Sequence, residues 1–433
     1  MRRGYLQMKS LKKSVLAILS LAMVGCGAPQ MAGQFPVQIQ QSMAVRSMSA
    51  PMMRAQSATA NTRLPFLAMF NNAYKGLLAE NEAIGRSNPQ NVDRYFIGLI
   101  DSAQKTIDGA FYDIDDPDAV NAFVRAAKRG VRVRLVTEHD SLMDKHNPTV
   151  PRQSIAALRA AGIEIHDDGN HAGLMHNKFM VVDNGTVWTG SLNLTTSSIF
   201  HHNNNSVMIR SPQLAANFNA EFQRMFEQGI YGPNPHSIPN PEVNVSGIRI
   251  RTFFSPGGSA VDAIKAELSK ATKNIRFMAF SMTDKNILQI MLNKKAAGVK
   301  VEGVFDSCLI PQYSIYWELK KNGILALGDG NQALMHHKVM IIDDKTVVTG
   351  SFNFSKNAQN NNNENALIID SPAIAKQYVD EYYKVRTAAF DNKNLPPYDH
   401  PACNKRSAAP ASPAAAPTLS AMSVLEPIWL DRE

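Results

Sequence analysis

Two stretches of this 433-residue chain carry the same chemically competent side chains at the same spacing. The first holds His176, Lys178 and Asp183, followed by Gly190, Ser191 and Asn193; the second holds His336, Lys338 and Asp343, followed by Gly350, Ser351 and Asn353. Each pair is 160 positions apart (336 − 176, 338 − 178, 343 − 183, 351 − 191, 353 − 193). An imidazole can attack an electrophile or move a proton near neutral pH. A lysine two positions along a strand shares the histidine's face and offers a fixed positive charge to a phosphate oxygen, while Ser and Asn add neutral donors. Two such sets facing one another would cage a phosphodiester between two imidazoles, a geometry suited to in-line displacement without a metal or other cofactor.

The elements that must position these residues also occur twice. Helical spacing joins Val92, Phe96 and Leu99 in one half and Val261, Ile264 and Leu268 in the other. An apolar strand follows in each (107–114 and 275–282), then a helix stopped by Gly130 or Gly298 with basic residues in its last turn. Alternating strands at 131–136 and 299–304 come next. The offset is 168 here (298 − 130) and 161 by the next glycine pair (323 − 162), so the first half carries a longer loop near 138–154. Residues 179–182 and 339–342 are continuously apolar, as a strand covered on both faces should be. A closing helix repeats, with Leu214, Phe218 and Phe222 matching Ile374, Tyr378 and Tyr382. The pattern predicts an α/β protein of two tandem pseudo-symmetric repeats, 64–240 and 241–395. Each is expected to be a mixed, mostly central β-sheet flanked by helices, with the active site at their interface.

The flanks read differently. Residues 1–25 have a basic start, a ten-residue apolar run and small residues after it, which is an export signal too short to span a bilayer. The junction ending in Cys26 resembles a bacterial lipoprotein signal, with Met23 where Leu is more usual. That resemblance implies lipidation of Cys26 and an exported, membrane-anchored protein. Residues 26–63 read as a flexible tether and 396–433 as an Ala/Pro-rich tail. The formal charge of +8 loses the five cations Arg2, Arg3, Lys9, Lys12 and Lys13 with the signal, leaving +3 (8 − 5). The mature chain is therefore only mildly basic. Cys308 and Cys403 can pair in an oxidising compartment, though no spacing requires it, and three cysteines exclude a Cys-based zinc site or disulfide scaffold.

The repeated stretches resemble the phospholipase D superfamily, whose signature HxKxxxxD followed by GSxN occurs here in both copies. The resemblance implies one active site shared by two like halves. One histidine attacks phosphorus to give a phosphohistidine and the other protonates the leaving alcohol, then activates water. Lys178, Lys338, Asn193 and Asn353 would hold the phosphoryl oxygens. Asp183 and Asp343 would lie behind the site and support folding, with Ser191 and Ser351 in similar supporting places. The copies differ at one position. Glu364 faces Asn204 across the offset of 160, and in the family such a Glu hydrogen-bonds a catalytic histidine. Glu364 is thus expected to reach His176, making His176 the nucleophile and His336 the acid.

Other residues are read as bystanders. His337 has Asn177 as its counterpart and is expected to be packed or incidental. His139, His146, His166, His171, His201 and His202 lack regular ligand spacing, so no metal site is assigned. The Asn-rich stretches 203–205 and 360–363 read as loops.

These features favour a phospholipase D-type hydrolase acting on phospholipid at a membrane surface, as a monomer whose two halves form an internal pseudo-dimer. A nuclease would use the same residues, but the low mature charge offers no basic run to follow a nucleic-acid backbone. A cardiolipin-synthase-like transferase is a third reading, and a headgroup-binding pseudoenzyme is disfavoured by the intact His, Lys and Asn of both copies.

Overall fold

The computed structural model describes residues 64–144, 147–169, 171–233, 235–310 and 314–393. The segments read as signal, tether and tail, with Cys26, Cys403 and His146, lie outside them. All described residues belong to one compact unit.

In the first half β1 (Phe66–Phe70) leads to α1 (Leu78–Ser87), α2 (Val92–Ser102), β2 (Thr106–Phe111), α3 (Pro117–Lys128), β3 (Arg132–Thr137), α4 (Gln153–Ala160) and β4 (Glu164–Asp167). It ends with β5 (Lys178–Val182), β6 (Thr186–Gly190), α5 (Thr196–Phe200), β7 (Asn205–Arg210) and α6 (Pro212–Phe226). The second half opens with the hairpin β8 (Glu242–Val245) and β9 (Ile248–Ser255), then α7 (Ala260–Lys270), β10 (Asn274–Ala279), α8 (Lys285–Ala296), β11 (Lys300–Phe305), α9 (Tyr316–Lys321) and β12 (Leu325–Gly328). It closes with β13 (Lys338–Ile342), β14 (Thr346–Gly350), α10 (Lys356–Asn360), β15 (Glu364–Asp370) and α11 (Pro372–Asp391).

The first sheet has the order β1-β7-β6-β5-β2-β3-β4, and the second β12-β11-β10-β13-β14-β15-β9-β8. Read strand for strand these are one topology, with β8 added at an edge of the second. Pairing is parallel through β2, β3 and β4 and antiparallel elsewhere in the first sheet. The sequence puts a helix first in each repeat, whereas a strand precedes it in both. β1 gains its partner from β7, over a hundred residues away, so local periodicity could not reveal it; β9 pairs with β15 at similar range and with its hairpin neighbour β8.

Each central strand separates two cores. Phe179 and Val181 enter the core shared by both halves, while Met180 and Val182 enter the outer core of the first. Val339 and Ile341 likewise face the shared core, and Met340 and Ile342 the outer core of the second. The closing helices supply Phe218, Phe222, Tyr378 and Tyr382 to the shared core, each aromatic worth roughly 1.5–3 kcal/mol of burial. Both helices begin alike, with Ser211 or Ser371 capping a backbone N–H and proline in the first turn. Main-chain bridges Met175–Asn363 and Asn203–Met335 join the halves directly. Cys308 is buried and disulfide-bonded.

Candidate active site

Strand register brings the repeated residues to one end of the central strands in each sheet. Phe111, at the end of β2, pairs with Lys178, at the start of β5; Ala279 of β10 pairs with Lys338 of β13 in the same way. His176 and His336 stand just before these strands, and all four side chains are buried. The Lys178 ammonium donates to the His176 carbonyl at 3.0 Å, and Lys338 to the His336 carbonyl at 3.2 Å. One residue past β2, the Tyr112 ring lies edge-on to His176 at 5.2 Å and 5.0 Å from Lys178 Nζ. Phe280 repeats this at 4.8 Å from His336 and 4.4 Å from Lys338 Nζ. Carboxylates at the ends of the third strands fix the approach: Glu138 accepts from the Met175 amide at 2.7 Å and Asp306 from the Met335 amide at 2.9 Å.

Each half is completed by the other. The His336 amide donates to the Asn203 carbonyl at 2.9 Å, and the Asn363 amide to the Leu174 carbonyl at 2.8 Å. Glu364 Oε2, at the start of β15, lies 2.8 Å from His176 Nδ1. Asn204 Oδ1, just before β7, lies 2.8 Å from His336 Nδ1. Farther in, Thr189 donates to Asn365 Oδ1 at 2.7 Å and Thr349 to Asn205 Oδ1 at 2.6 Å.

This network assigns protons. The Ser191 hydroxyl donates to Asn204 Oδ1 at 2.8 Å, and Asn204 Nδ2 donates to the Ser198 carbonyl at 2.9 Å, so the amide oxygen faces His336. His336 Nδ1 must then carry hydrogen. His176 Nδ1 carries one too, donated to the Glu364 carboxylate. In the neutral tautomers Nε2 of both rings is left with the lone pair. The difference is charge: an imidazolium at His176 has an anionic partner, and one at His336 has a neutral amide.

The glycine-serine pairs are required by close approach. Gly190 and Gly350 have φ of 156° and 144°, and a β-carbon there would sit 2.2 Å from the Asn205 carbonyl oxygen or 2.3 Å from that of Asn365. That closeness lets the Ser191 amide donate to the Asn205 carbonyl at 2.9 Å while the Asn205 amide donates to Ser191 Oγ at 3.1 Å. Ser351 and Asn365 form the same pair at 3.0 Å each way. Asn193 and Asn353 follow, both buried. Neither polar side-chain atom of Asn353 has a hydrogen-bond partner among the described residues, an arrangement that costs about 1–3 kcal/mol unless a ligand satisfies it.

Asp183 and Asp343 lie at the far ends of β5 and β13. Asp183 accepts from the amides of Gln104, Lys105 and Thr106 at 2.7–2.9 Å, and Asp343 from Thr272, Lys273 and Asn274 at 2.7–3.1 Å. They tie each hairpin to the strand beside it. Partial burial raises their pKa, but these amides outweigh it and hold both carboxyls below the ordinary value.

The Asn-rich stretches lie largely in the short connections from α5 to β7 and from α10 to β15, and these connections are interior. Asn203, Asn204, Asn205, Asn362 and Asn363 are buried, because they form the entry to β7 and β15 and carry the bridges between halves. His337 is packed, with its ring nitrogens on Asn205 and Glu381. Asn204, Asn205, Asn365, Thr189, Thr349, Tyr112 and Phe280 were missed as site residues. Extending the repeat comparison would have found all but Asn204, since Thr and Asn recur at the offset of 160 (349 − 189, 365 − 205) and the aromatics at 168 (280 − 112). Among the described residues no group of three or more His, Cys, Asp or Glu is placed to hold a metal.

Buried imidazoles, ammoniums and amide donors can together hold a tetrahedral oxyanion and move protons at its two sides. The chain is similar to several known proteins. A family model described as cardiolipin synthase, PLD-like domain, matches residues 96–226 and 264–385. A protein of Rickettsia prowazekii named phospholipase D is 31% identical over 167 residues, 37% of this chain and 82% of that one. A Danio rerio protein named mitochondrial cardiolipin hydrolase is 30% identical over 142 residues, 32% of this chain and 60% of that one. The solved phosphatidylserine synthase of Haemophilus influenzae covers 77% of this chain and 91% of its own with a TM-score of 0.53 at 14% identity, a likeness of fold.

Proposed function

Because this chain belongs to the PLD-like domain family, we propose that it is a phosphodiesterase of the phospholipase D type that hydrolyses the headgroup phosphodiester of a phospholipid. One observation carries the assignment of roles: the partner of His176 is a carboxylate and that of His336 a neutral amide. His176 Nε2 attacks phosphorus, forming an N–P bond as the bond to the leaving oxygen breaks. The ring becomes positively charged, and Glu364 offsets that charge. His336, protonated on both nitrogens for this step, gives its Nε2 proton to the departing alcohol. It holds that proton against a neutral amide only, so it releases it readily. Water then enters, His336 takes its proton back, hydroxide attacks phosphorus and the N–P bond breaks. Lys178, Lys338, Asn193 and Asn353 hold the non-bridging oxygens as charge moves onto them.

The relatives named phospholipase D and cardiolipin hydrolase support a lipid phosphodiester as substrate. Export and anchoring through Cys26 would place the site beside its substrate. The test is purified mature protein with phospholipid vesicles and, separately, with single-stranded DNA, both in chelator, beside His176→Ala. Headgroup release that His176→Ala lacks supports the reading. Nucleotide products in place of headgroup would make it a nuclease, and loss of activity in chelator would overturn metal-free displacement.

A further inference from the structure

His337 lies between the two motif residues His336 and Lys338, yet its ring turns away into a buried polar cluster. Asn205 Oδ1 receives the hydroxyls of Thr349 at 2.6 Å and Tyr378 at 3.2 Å, which fixes the amide orientation. Asn205 Nδ2 therefore faces His337 Nδ1 as a donor, at 2.9 Å. Nδ1 must be bare and the proton sits on Nε2, donated to Glu381 Oε1 at 3.2 Å. The other Glu381 oxygen accepts from the Tyr74 hydroxyl at 2.5 Å. His337, Glu381 and Asn205 are all buried.

The first half has no such dependence. There Asn365 Nδ2 donates at 2.9 Å to Asn177, whose amide oxygen needs no tautomer. In the second half the same anchor is a histidine, so the orientation of Asn205 depends on where the His337 proton lies. The same Asn205 Nδ2 also donates to Ser191 Oγ at 3.4 Å, and Ser191 donates to the Asn204 oxygen that orients His336.

We propose that His337 and Glu381 are positioning residues for the leaving-group acid: Glu381 holds the His337 proton on Nε2, and the bare Nδ1 anchors Asn205 and, through Ser191 and Asn204, His336. This rests on the role of His336 given above. Glu381→Gln tests it with almost no change of volume. Tyr74 keeps the amide oxygen, the amide NH2 turns to His337 Nε2, and the ring proton is driven to Nδ1 against Asn205 Nδ2.

The experiment compares two esters of phosphatidic acid in the same mixed vesicles, one with ethanolamine and one with p-nitrophenol, whose departure needs no proton. Glu381→Gln is expected to lose about tenfold or more in the first-turnover rate of ethanolamine release and to stay within about twofold in the first-turnover burst of nitrophenol, both read before the water step in which His336 acts as base. Adding His337→Asn, which supplies the amide acceptor used in the first half, is expected to restore the lost activity. Equal losses on both esters, no loss on either, or no rescue would overturn the proposal. Wild-type inactivity on both esters overturns the phosphodiesterase reading and this proposal with it, an outcome separate from equal losses in an active enzyme.

Discussion

Glu364 and Asn204 occupy equivalent places in the two halves, each with a side-chain oxygen 2.8 Å from the Nδ1 of the other half's histidine. One is an anion and the other a neutral amide, within an otherwise near-symmetric site. The assignment of attacker and acid grows from that single difference.

Glu364→Gln keeps the volume and removes the charge that offsets a phosphorylated His176. We expect kcat to fall about a hundredfold with KM little changed, because the interaction strengthens only as the ring becomes positive. Steady-state kinetics on vesicle substrate checks this, and a change confined to KM would contradict it.

Trapping separates the two histidines. With a nitrophenyl phosphodiester labelled at phosphorus, His336→Ala is expected to form a covalent phosphoenzyme and release it slowly, since departure needs no acid but water needs a base. His176→Ala is expected to take no label. Label retained on His176→Ala would exchange the roles.

Asn353 places both polar atoms in the interior without a partner among the described residues. Asn353→Leu should therefore stabilise the fold by about 1 kcal/mol while lowering activity through loss of a donor to the phosphoryl group. Thermal denaturation and kinetics on one preparation would show the two moving in opposite directions.

Asp183 and Asp343 act on folding. Their folded-state values lie below the ordinary 3.8, so the stability they add is present above the unfolded value and is lost as pH falls through the folded one. Asp183→Asn keeps a residue type tolerant of the left-handed φ of 50° at this position. It should cost about 1–2 kcal/mol at neutral pH, a figure reduced for partial exposure, and less at a pH well below 3.8. Asp343→Asn should act in the same way, and the two substitutions should add, because they lie on separate sheets. Urea titrations at both pH values measure this.

Much of the fold was legible because it rests on short-range pattern. Apolar runs marked β5 and β13, glycine stops marked α3 and α8, and the doubled order of elements gave two like sheets. The leading strand β1 was not legible, since nothing within Phe66–Phe70 names its partner, and the pairing of β9 with β15 was hidden for the same reason. The burial of the Asn-rich stretches was not legible for a related reason. Asparagine favours turns in isolation, but here its amides are satisfied across the interface and so can be buried.

The sequence alone determined which residues recur, at what spacing, and that Glu364 breaks the recurrence. Those are properties of composition and order, and a repeat displays them without being folded. The tertiary structure decided what that break touches. Only the packing of one sheet against the other brings Glu364 to His176 and Asn204 to His336 and turns Asn205 toward His337, because these contacts span 132 to 188 residues and no local pattern encodes the partner at the far end.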